Sequence, residues 1–546
     1  MSDPPPRNVP RSESGGVRRA FRAGLASALA LVLAVSCSRA DALRQPDPLS
    51  RRIEAHVREL GSDGYEGRAP GSRGGQRAAE YIEARLREIG LEPAGTDGYR
   101  QPVPLVGVRS LEGTRLAWRP PPKSAGGAKE RAFSPDADDV IAGWNRPIEK
   151  ARVQGTAVFV GYGVVDAELG RDDYAGTSLA GKWAVALDGE PPDAAGRLSY
   201  AAGQPVAKLY AARRAGSVGL LLLSHETEWP EPYDLARERR ILPSWGPGES
   251  GQPLPLVVVR GELVERLSGS RNLWEDALAP DFRARPLEGR LDLTLAQEVA
   301  RFESPNLLAR LPGSDPTLAA RHVCLSAHYD GLGRSGHRVY NGVIDNAVAV
   351  GELLEAAALA REQGPARRSL LFFFPTAEEA GLLGSSYFTT HPTVPLDDIV
   401  GCLNKDGAPE AWGRSSDVVA IAADAAPPFA EALRSGVARQ GLAWSPNPFP
   451  SEGFFFRSDH YSFLRAGVPG VLLFLGLTFV DRPQGWGVEQ AMLYLKEHYH
   501  RSTDDLSLVT DWEGTAQYAR LWLALARDLG DGVELARTDI ELSPGD

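Results

Sequence analysis

The chain has 546 residues, 43% of them hydrophobic and 24% charged, the balance of a soluble globular protein with room for a large core. Its net charge is −11 and no basic stripe runs along it, which argues against nucleic acid as a partner. The cysteines, Cys37, Cys324 and Cys402, are too few for a disulfide framework, and the last two lie in apolar runs as buried thiols would.

Arg18, Arg19 and Arg22 precede an apolar stretch from Ala23 to Ser36. It is too short to span a bilayer as a helix but suits the core of an export signal. Ala34-Val35-Ser36-Cys37 resembles a bacterial lipobox, with alanine where leucine is usual, and would make Cys37 a lipidated N-terminus. Cleavage after Ala40-Asp41-Ala42 is the alternative. Either way the protein is expected to be exported, to the bacterial cell envelope as a lipoprotein or as a secreted or periplasmic protein. Residues 1–37 read as the signal segment and 38–47 as a linker.

Residues 49–60 and 74–90 predict amphipathic helices. In the second, Ala78, Ala79, Ile82, Leu86 and Ile89 recur at three- and four-residue spacing, and Gly90 closes it. Residues 104–140 are rich in proline and glycine and read as a linker with a few weak strands. Short β-like runs follow at 157–160, 183–187, 219–223 and 256–259, with a helix at 205–215, and together predict a small β-rich domain. From 304 onward strands are predicted at 322–327, 369–374, 398–403 and 468–475, and helices at 346–363, 426–439 and 511–529. Continuous apolar strands alternating with helices point to a mostly parallel sheet covered on both faces.

Ligands of open α/β sheets gather beyond the carboxyl ends of the strands. His328 follows the 322–327 strand, Glu378 and Glu379 follow 369–374, and Asp406 follows 398–403. Asp345 opens a helix and His500 lies in the loop before the last one. One rim of one sheet therefore gathers all of them. Imidazole nitrogen and carboxylate oxygen bind zinc at about 2 Å. Two histidines and three carboxylates serve two ions only if one carboxylate is shared, an aspartate giving one oxygen to each. Two ions about 3.5–4 Å apart clamp one hydroxide and polarise the carbonyl it attacks. In the Glu378-Glu379 pair, one carboxylate is a ligand while its neighbour takes the proton. Asp330, two residues from His328 and so on the same face of an extended chain, is placed to accept that ring's second N–H.

These motifs resemble the two-zinc aminopeptidase family typified by secreted bacterial leucyl aminopeptidases, with glutamate carboxypeptidase II and the transferrin receptor as eukaryotic relatives. The resemblance is carried by Gly67-Arg68-Ala69-Pro70-Gly71 before a helix, AHYDGLG at 327–333, NGVIDN at 341–346, AEEAGLLGS at 377–385, Asn404-Lys405-Asp406, Ser458-Asp459-His460-Tyr461 and Tyr499-His500. It implies a three-layer α/β/α zinc-exopeptidase (phosphorylase/hydrolase-like) catalytic domain with a mostly parallel mixed sheet and a peptide substrate. It implies two zinc ions: His328 and Asp406 on one, Glu379 and His500 on the other, Asp345 bridging, and Glu378 as general base beside the supporting Asp330. A cis bond after Asp345 is also implied. Residues 158–223 resemble the protease-associated (PA) domain inserted in many of these enzymes. The expected division is a catalytic domain split into 48–140 and 288–532, a PA domain at 141–287, and a tail at 533–546.

Two departures stand out. Ala347-Val348-Ala349 replaces the family's usual Ala-Ser-Gly, and Gly331 stands where a second histidine often follows the His-x-Asp element. A lone His-x-Asp or Glu-Glu is ordinarily an accident of surface or core, but five such elements in family order at rim positions are not independent accidents. Neither Gly-x-Ser-x-Gly nor His-Glu-x-x-His occurs, so serine-hydrolase and thermolysin-type readings lack their anchor. His460 is expected either to line the substrate pocket or to serve structure, and Asp504 and Asp505 either to support His500 or to cap a helix. The expected activity is that of an exported zinc aminopeptidase. The rivals are a carboxypeptidase or dipeptidase of the same fold, a one-zinc glutaminyl cyclase, and a non-catalytic binding lipoprotein.

Overall fold

The computed structural model describes residues 47–121, 129–134, 140–144, 147–167, 170–191, 203–224, 239–244, 254–269, 271–279 and 281–532. The segment expected to direct export, Cys37 and the tail at 533–546 lie outside them.

One strand, Arg285–Leu311, is common to two sheets. Over residues 297–311 it pairs antiparallel with Arg100–Ser110 and Ser369–Phe374 in the larger sheet. Over residues 285–296 it pairs antiparallel with Lys150–Phe159 and Arg115–Arg119 in the smaller one. Of these partners, Arg100–Ser110 and Arg115–Arg119 were not legible as strong strands. Residues 104–140 do not form a linker: Arg100–Ser110 is an eleven-residue strand paired on both edges. Pro102 and Pro104 occupy its less buried alternate positions, while Gln101, Val103 and Leu105 are buried, so the prolines mask a period-2 pattern. Arg115–Arg119 and Arg131–Phe133, on the catalytic side of the expected boundary at 140, pair into the smaller sheet.

The centre of the larger sheet is parallel. Ser369–Phe374, His322–Ser326, Ile399–Asn404 and Gly470–Leu475 lie side by side in that order. Alternation along Ser369–Phe374 shows how both faces are covered. Leu370, Phe372 and Phe374 join a core with helices Pro48–Leu60, Arg73–Ile89, Val348–Gln363, Pro427–Arg439 and Glu513–Asp531. Leu371 and Phe373 face the other way, onto Phe388 and Phe463 of helices Leu383–Thr390 and His460–Arg465. This is a three-layer α/β/α arrangement around a mostly parallel mixed sheet. Cys324 and Cys402 sit in register on adjacent central strands, buried and free.

The predicted helices fall within one or two residues of their expected ends. Ser72 caps the second by accepting the Gly75 N–H, and Gly90 ends it in the left-handed region at φ 78°. The smaller sheet runs parallel from Lys150–Phe159 through Lys182–Leu187 and Gly219–Leu223 to Pro255–Val259. It has its own apolar clusters, one of them against helix Pro205–Arg214.

Candidate metal centre

Three neighbouring parallel strands end on one rim, and their sequels carry the site. His328 comes two residues after His322–Ser326, Asp406 two after Ile399–Asn404, and Glu378 and Glu379 follow Ser369–Phe374. The loops are tied to one another: Tyr329 N–H donates to Pro375 O at 3.1 Å and Lys405 N–H to Ser326 O at 2.8 Å. Asp345 enters from a tight turn at Val343–Ala347 ahead of helix Val348–Gln363. Gly342 opens that turn at φ 53°, where a Cβ would lie 2.2 Å from Asp345 O, so only glycine fits. The Asp345–Asn346 peptide is cis, and the Asn346 side chain donates to Lys405 O at 3.0 Å. His500 is held in the loop after helix Trp486–Glu497, its ring stacked on Tyr499 at 3.8 Å between centroids.

Asp345 stands between the two imidazoles. Its Oδ1 lies 3.3 Å from His328 Nε2 and its Oδ2 lies 3.3 Å from His500 Nε2. On one side His328 Nε2 is 3.3 Å from Asp406 Oδ1 and 3.9 Å from Glu378 Oε2. On the other, His500 Nε2 is 3.1 Å from Glu379 Oε2. Two donor triples result, His328–Glu378–Asp406 and Asp345–Glu379–His500, each with its donor atoms within 4.8 Å of one another. Oxygen and imidazole nitrogen at this spacing suit zinc.

The electrostatics ask for positive charge. Burial disfavours a cation at His328, yet the Glu378 and Asp406 carboxylates raise its pKa well above the ordinary value. At His500 burial acts the same way and is overcome by Glu379 and Asp345, which raise the imidazole to about 10. Burial also opposes ionisation of Asp345, but hydrogen bonds from both histidines hold its carboxyl well below the usual range. Carboxylates that raise both buried imidazoles mark a place where cationic charge is favoured, and the donor set fits a divalent cation. Burial, reinforced by Asp406, pushes the Glu378 carboxyl well up.

All five expected ligands and Glu378 converge. Asp330 differs in detail from its expected contact: its Oδ1 is 3.6 Å from His328 Nδ1, beyond hydrogen-bond length, and accepts the Glu378 N–H at 3.0 Å. It therefore braces the loop that bears both glutamates. His460 is not a lining residue; it is fully buried at the start of its helix, and burial lowers its pKa to about 4. Asp504 supports Asp345 rather than His500, while Asp505 caps a short 3₁₀ turn by accepting the Ser507 N–H.

An apolar pocket opens beside Asp345 and Asp406. Ile344, Trp412, Phe449, Phe454, Leu472, Phe474, Leu477, Ala491 and Leu495 line it, with Arg457, Tyr494 and Tyr499 at its polar side. Arg457 donates to Tyr499 Oη at 3.0 Å and lies over the Tyr499 ring. The sequence carried a trace of this wall in the run Phe454-Phe455-Phe456.

An α/β/α layered domain thus presents two imidazole–carboxylate triples joined by one aspartate, a donor set suited to metal. Residues 306–526 match the model of Peptidase family M28. Leupeptin-inactivating enzyme 1 of Streptomyces exfoliatus is 30% identical over 213 residues, 38% of this chain and 44% of that one. A vacuolar membrane protease of Candida albicans is 42% identical over 94 residues, 17% of this chain. The match spans 10% of that protease's length. Among solved structures, an aminopeptidase from Aneurinibacillus sp. strain AM-1 superimposes with a TM-score of 0.54 over 90% of this chain and 96% of that one. At 17% identity it shows a shared fold.

Proposed function

We propose that the chain is a zinc-dependent aminopeptidase that removes N-terminal residues from peptides. The observation that carries this reading is Asp345, whose two oxygens face two histidines at 3.3 Å each, with a further carboxylate beside each imidazole. His328 and Asp406 would hold one ion, Glu379 and His500 the other, and Asp345 both. When bound, such a pair supplies Lewis-acid polarisation of the scissile carbonyl and acidifies the attacking water.

The chain's own residues do the rest. Glu378, adjacent to a ligand and braced through its N–H by Asp330, takes the proton from the attacking water and delivers it to the leaving amine. The apolar pocket orients the N-terminal side chain against the reacting carbonyl and excludes water there. A large apolar first residue, leucine or phenylalanine, suits that lining. Export, a lipid anchor at Cys37 and an inserted PA domain, built on the smaller sheet and so reaching beyond 141–287 to Arg115–Arg119 and residues 288–296, belong to the same reading. The separate apolar clusters of the smaller sheet support the last of these.

The test is a comparison of leucine 4-nitroanilide with its N-acetylated counterpart, alongside zinc counts on the purified chain. Cleavage of the free amine substrate alone, with two zinc ions per chain, is expected. Inertness on leucine 4-nitroanilide with cleavage of an N-acetylated peptide that has a free C-terminal carboxylate points to the carboxypeptidase rival, and cleavage of free dipeptides alone to the dipeptidase rival. One zinc per chain points to the cyclase rival, and a metal-free inert chain to the binding lipoprotein.

A further inference from the structure

The Gly67-Arg68-Ala69-Pro70-Gly71 signature has no place in the reaction as drawn, yet Arg68 lies directly behind the metal centre and is 1% exposed. Its guanidinium donates to carbonyls of three separate segments. Nε reaches Tyr329 O at 2.9 Å, Nη1 reaches Leu60 O at 3.0 Å and also Asn341 O, and Nη2 reaches Gly342 O at 2.8 Å. Tyr329 is the residue between His328 and Asp330. Asn341 and Gly342 run straight into the turn that presents Asp345. One planar group therefore joins the loop bearing an imidazole ligand to the loop bearing the shared carboxylate.

The surroundings are shaped to receive it. Glu66, Gly67 and Arg68 all lie in the left-handed region, at φ 49°, 67° and 56°, a turn that drives the arginine inward. A Cβ on Gly67 would lie 2.2 Å from Gly333 O and 2.5 Å from Tyr340 O, so the turn is pressed against the same two loops. Cβ atoms on Gly331 and Gly342 would stand 3.4 Å and 3.0 Å from the guanidinium Nη2, and one on Gly331 would also meet Gly67 O at 2.8 Å. Gly331, the residue at the position of the family's frequent second histidine, is thus small because the Gly67-Arg68 turn fills that space. Asp504, Asp330, Asp345 and Glu379 all bear electrostatically on Arg68, giving the acidic centre a cation on its protein side.

Building on the two-zinc reading, we propose that Arg68 is a positioning residue that sets the separation of His328 from Asp345, and hence lets both ions bind at once. The role needs a fork rather than a point charge. Donors leaving a plane in three directions reach residues 60, 329 and 341–342 together, which an ammonium group on a flexible stem cannot do.

The experiment uses the full chain with Arg68→Lys and Arg68→Ala. Zinc per chain is measured across a series of buffered free-zinc concentrations, thermal melts are taken in EDTA, and kcat and KM are measured on leucine 4-nitroanilide. Arg68→Lys is expected to fold but to melt below the wild type when metal-free, since some of the buried carbonyls lose their donor, and to bind the second ion about 10–100-fold more weakly. Its kcat should fall at least about tenfold at a zinc level that saturates the wild type, with KM little changed. Millimolar guanidinium, but not methylammonium, should return part of the second-ion binding to Arg68→Ala. Unchanged two-ion binding in Arg68→Lys overturns the proposal. So does a lowered metal-free melting temperature with zinc affinity intact, which would mark a merely structural role. Should Arg68→Ala not fold, the lysine variant decides alone. A wild-type chain that never holds two zinc ions sinks the two-zinc reading itself, an outcome distinct from failure in the variants only.

Discussion

Asp504 grips the peptide that presents Asp345. Its carboxylate accepts the N–H of Ile344 at 2.9 Å and of Asp345 at 3.1 Å, and the Tyr494 hydroxyl at 3.1 Å, all from a position 2% exposed. The shared aspartate is thereby fixed from the loop that also supplies His500, so the two ligands are held as one unit.

Asp504→Ala leaves two buried N–H groups without their acceptor, at a cost of about 1–3 kcal/mol for each. Zinc affinity is expected to fall by about 10–100-fold, as when outer partners of metal ligands are removed. Asp504→Asn keeps one acceptor oxygen and should lose less. Chelator competition on the purified variants reads the affinity; equal zinc binding by wild type and Asp504→Ala would show that the grip is dispensable.

Glu378→Gln separates metal binding from chemistry. The amide preserves the backbone N–H that Asp330 accepts but cannot take a proton from water. Zinc content is expected to match the wild type while kcat falls by about 10²–10⁴-fold, the usual worth of a positioned general base. Retained turnover would move the base to another group.

Ala491 is a buried apolar residue of the pocket wall, on helix Trp486–Glu497, so enlarging it chiefly changes the room for a side chain. Ala491→Leu is expected to lower kcat/KM for leucine and phenylalanine substrates by about 10–200-fold relative to alanine substrates, the range set by a crowded hydrophobic pocket. An equal loss on all three would mean that the pocket does not hold the first residue.

The parts of this molecule that were legible in the sequence are those where chemistry and period coincide. Phe372, Phe373 and Phe374 form an unbroken apolar run because the strand is buried on both faces, and the residues after such strands mark the rim directly. Glu378, Asp406 and His328 were found in this way. Arg100–Ser110 was not, since prolines at alternate positions imitate a linker. His460 could be named but not placed, because a histidine's burial depends on contacts far away in sequence. Arg68 was visible as a motif and opaque as a mechanism: its partners are carbonyls, which every residue carries and no side-chain pattern reveals. Gly331 was noted as a departure, and its reason lay 264 positions upstream in Gly67.

Lys208 offers a stability test away from the metal centre. It is fully buried beside the smaller sheet, donating to Leu187 O at 2.7 Å and Gly189 O at 2.6 Å. Burial lowers its pKa to about 8, against attraction from Asp188, Glu190 and Asp173. An unfolded lysine titrates near about 10.4. Below about pH 8 both states are protonated and the folded state bears the full penalty of a buried cation; between the two pKa values the unfolded state holds more protons. Stability should therefore rise as pH goes from about 8 to about 10.4, by roughly 3 kcal/mol from this one group. Lys208→Met has no proton to release, although it leaves the two carbonyls without the ammonium at every pH. Urea melts of both proteins from pH 7 to 10.5 should show the stability gap between them shifting in favour of the wild type by that amount across the window. A gap that stays constant with pH would mean that Lys208 titrates alike in the folded and unfolded chains.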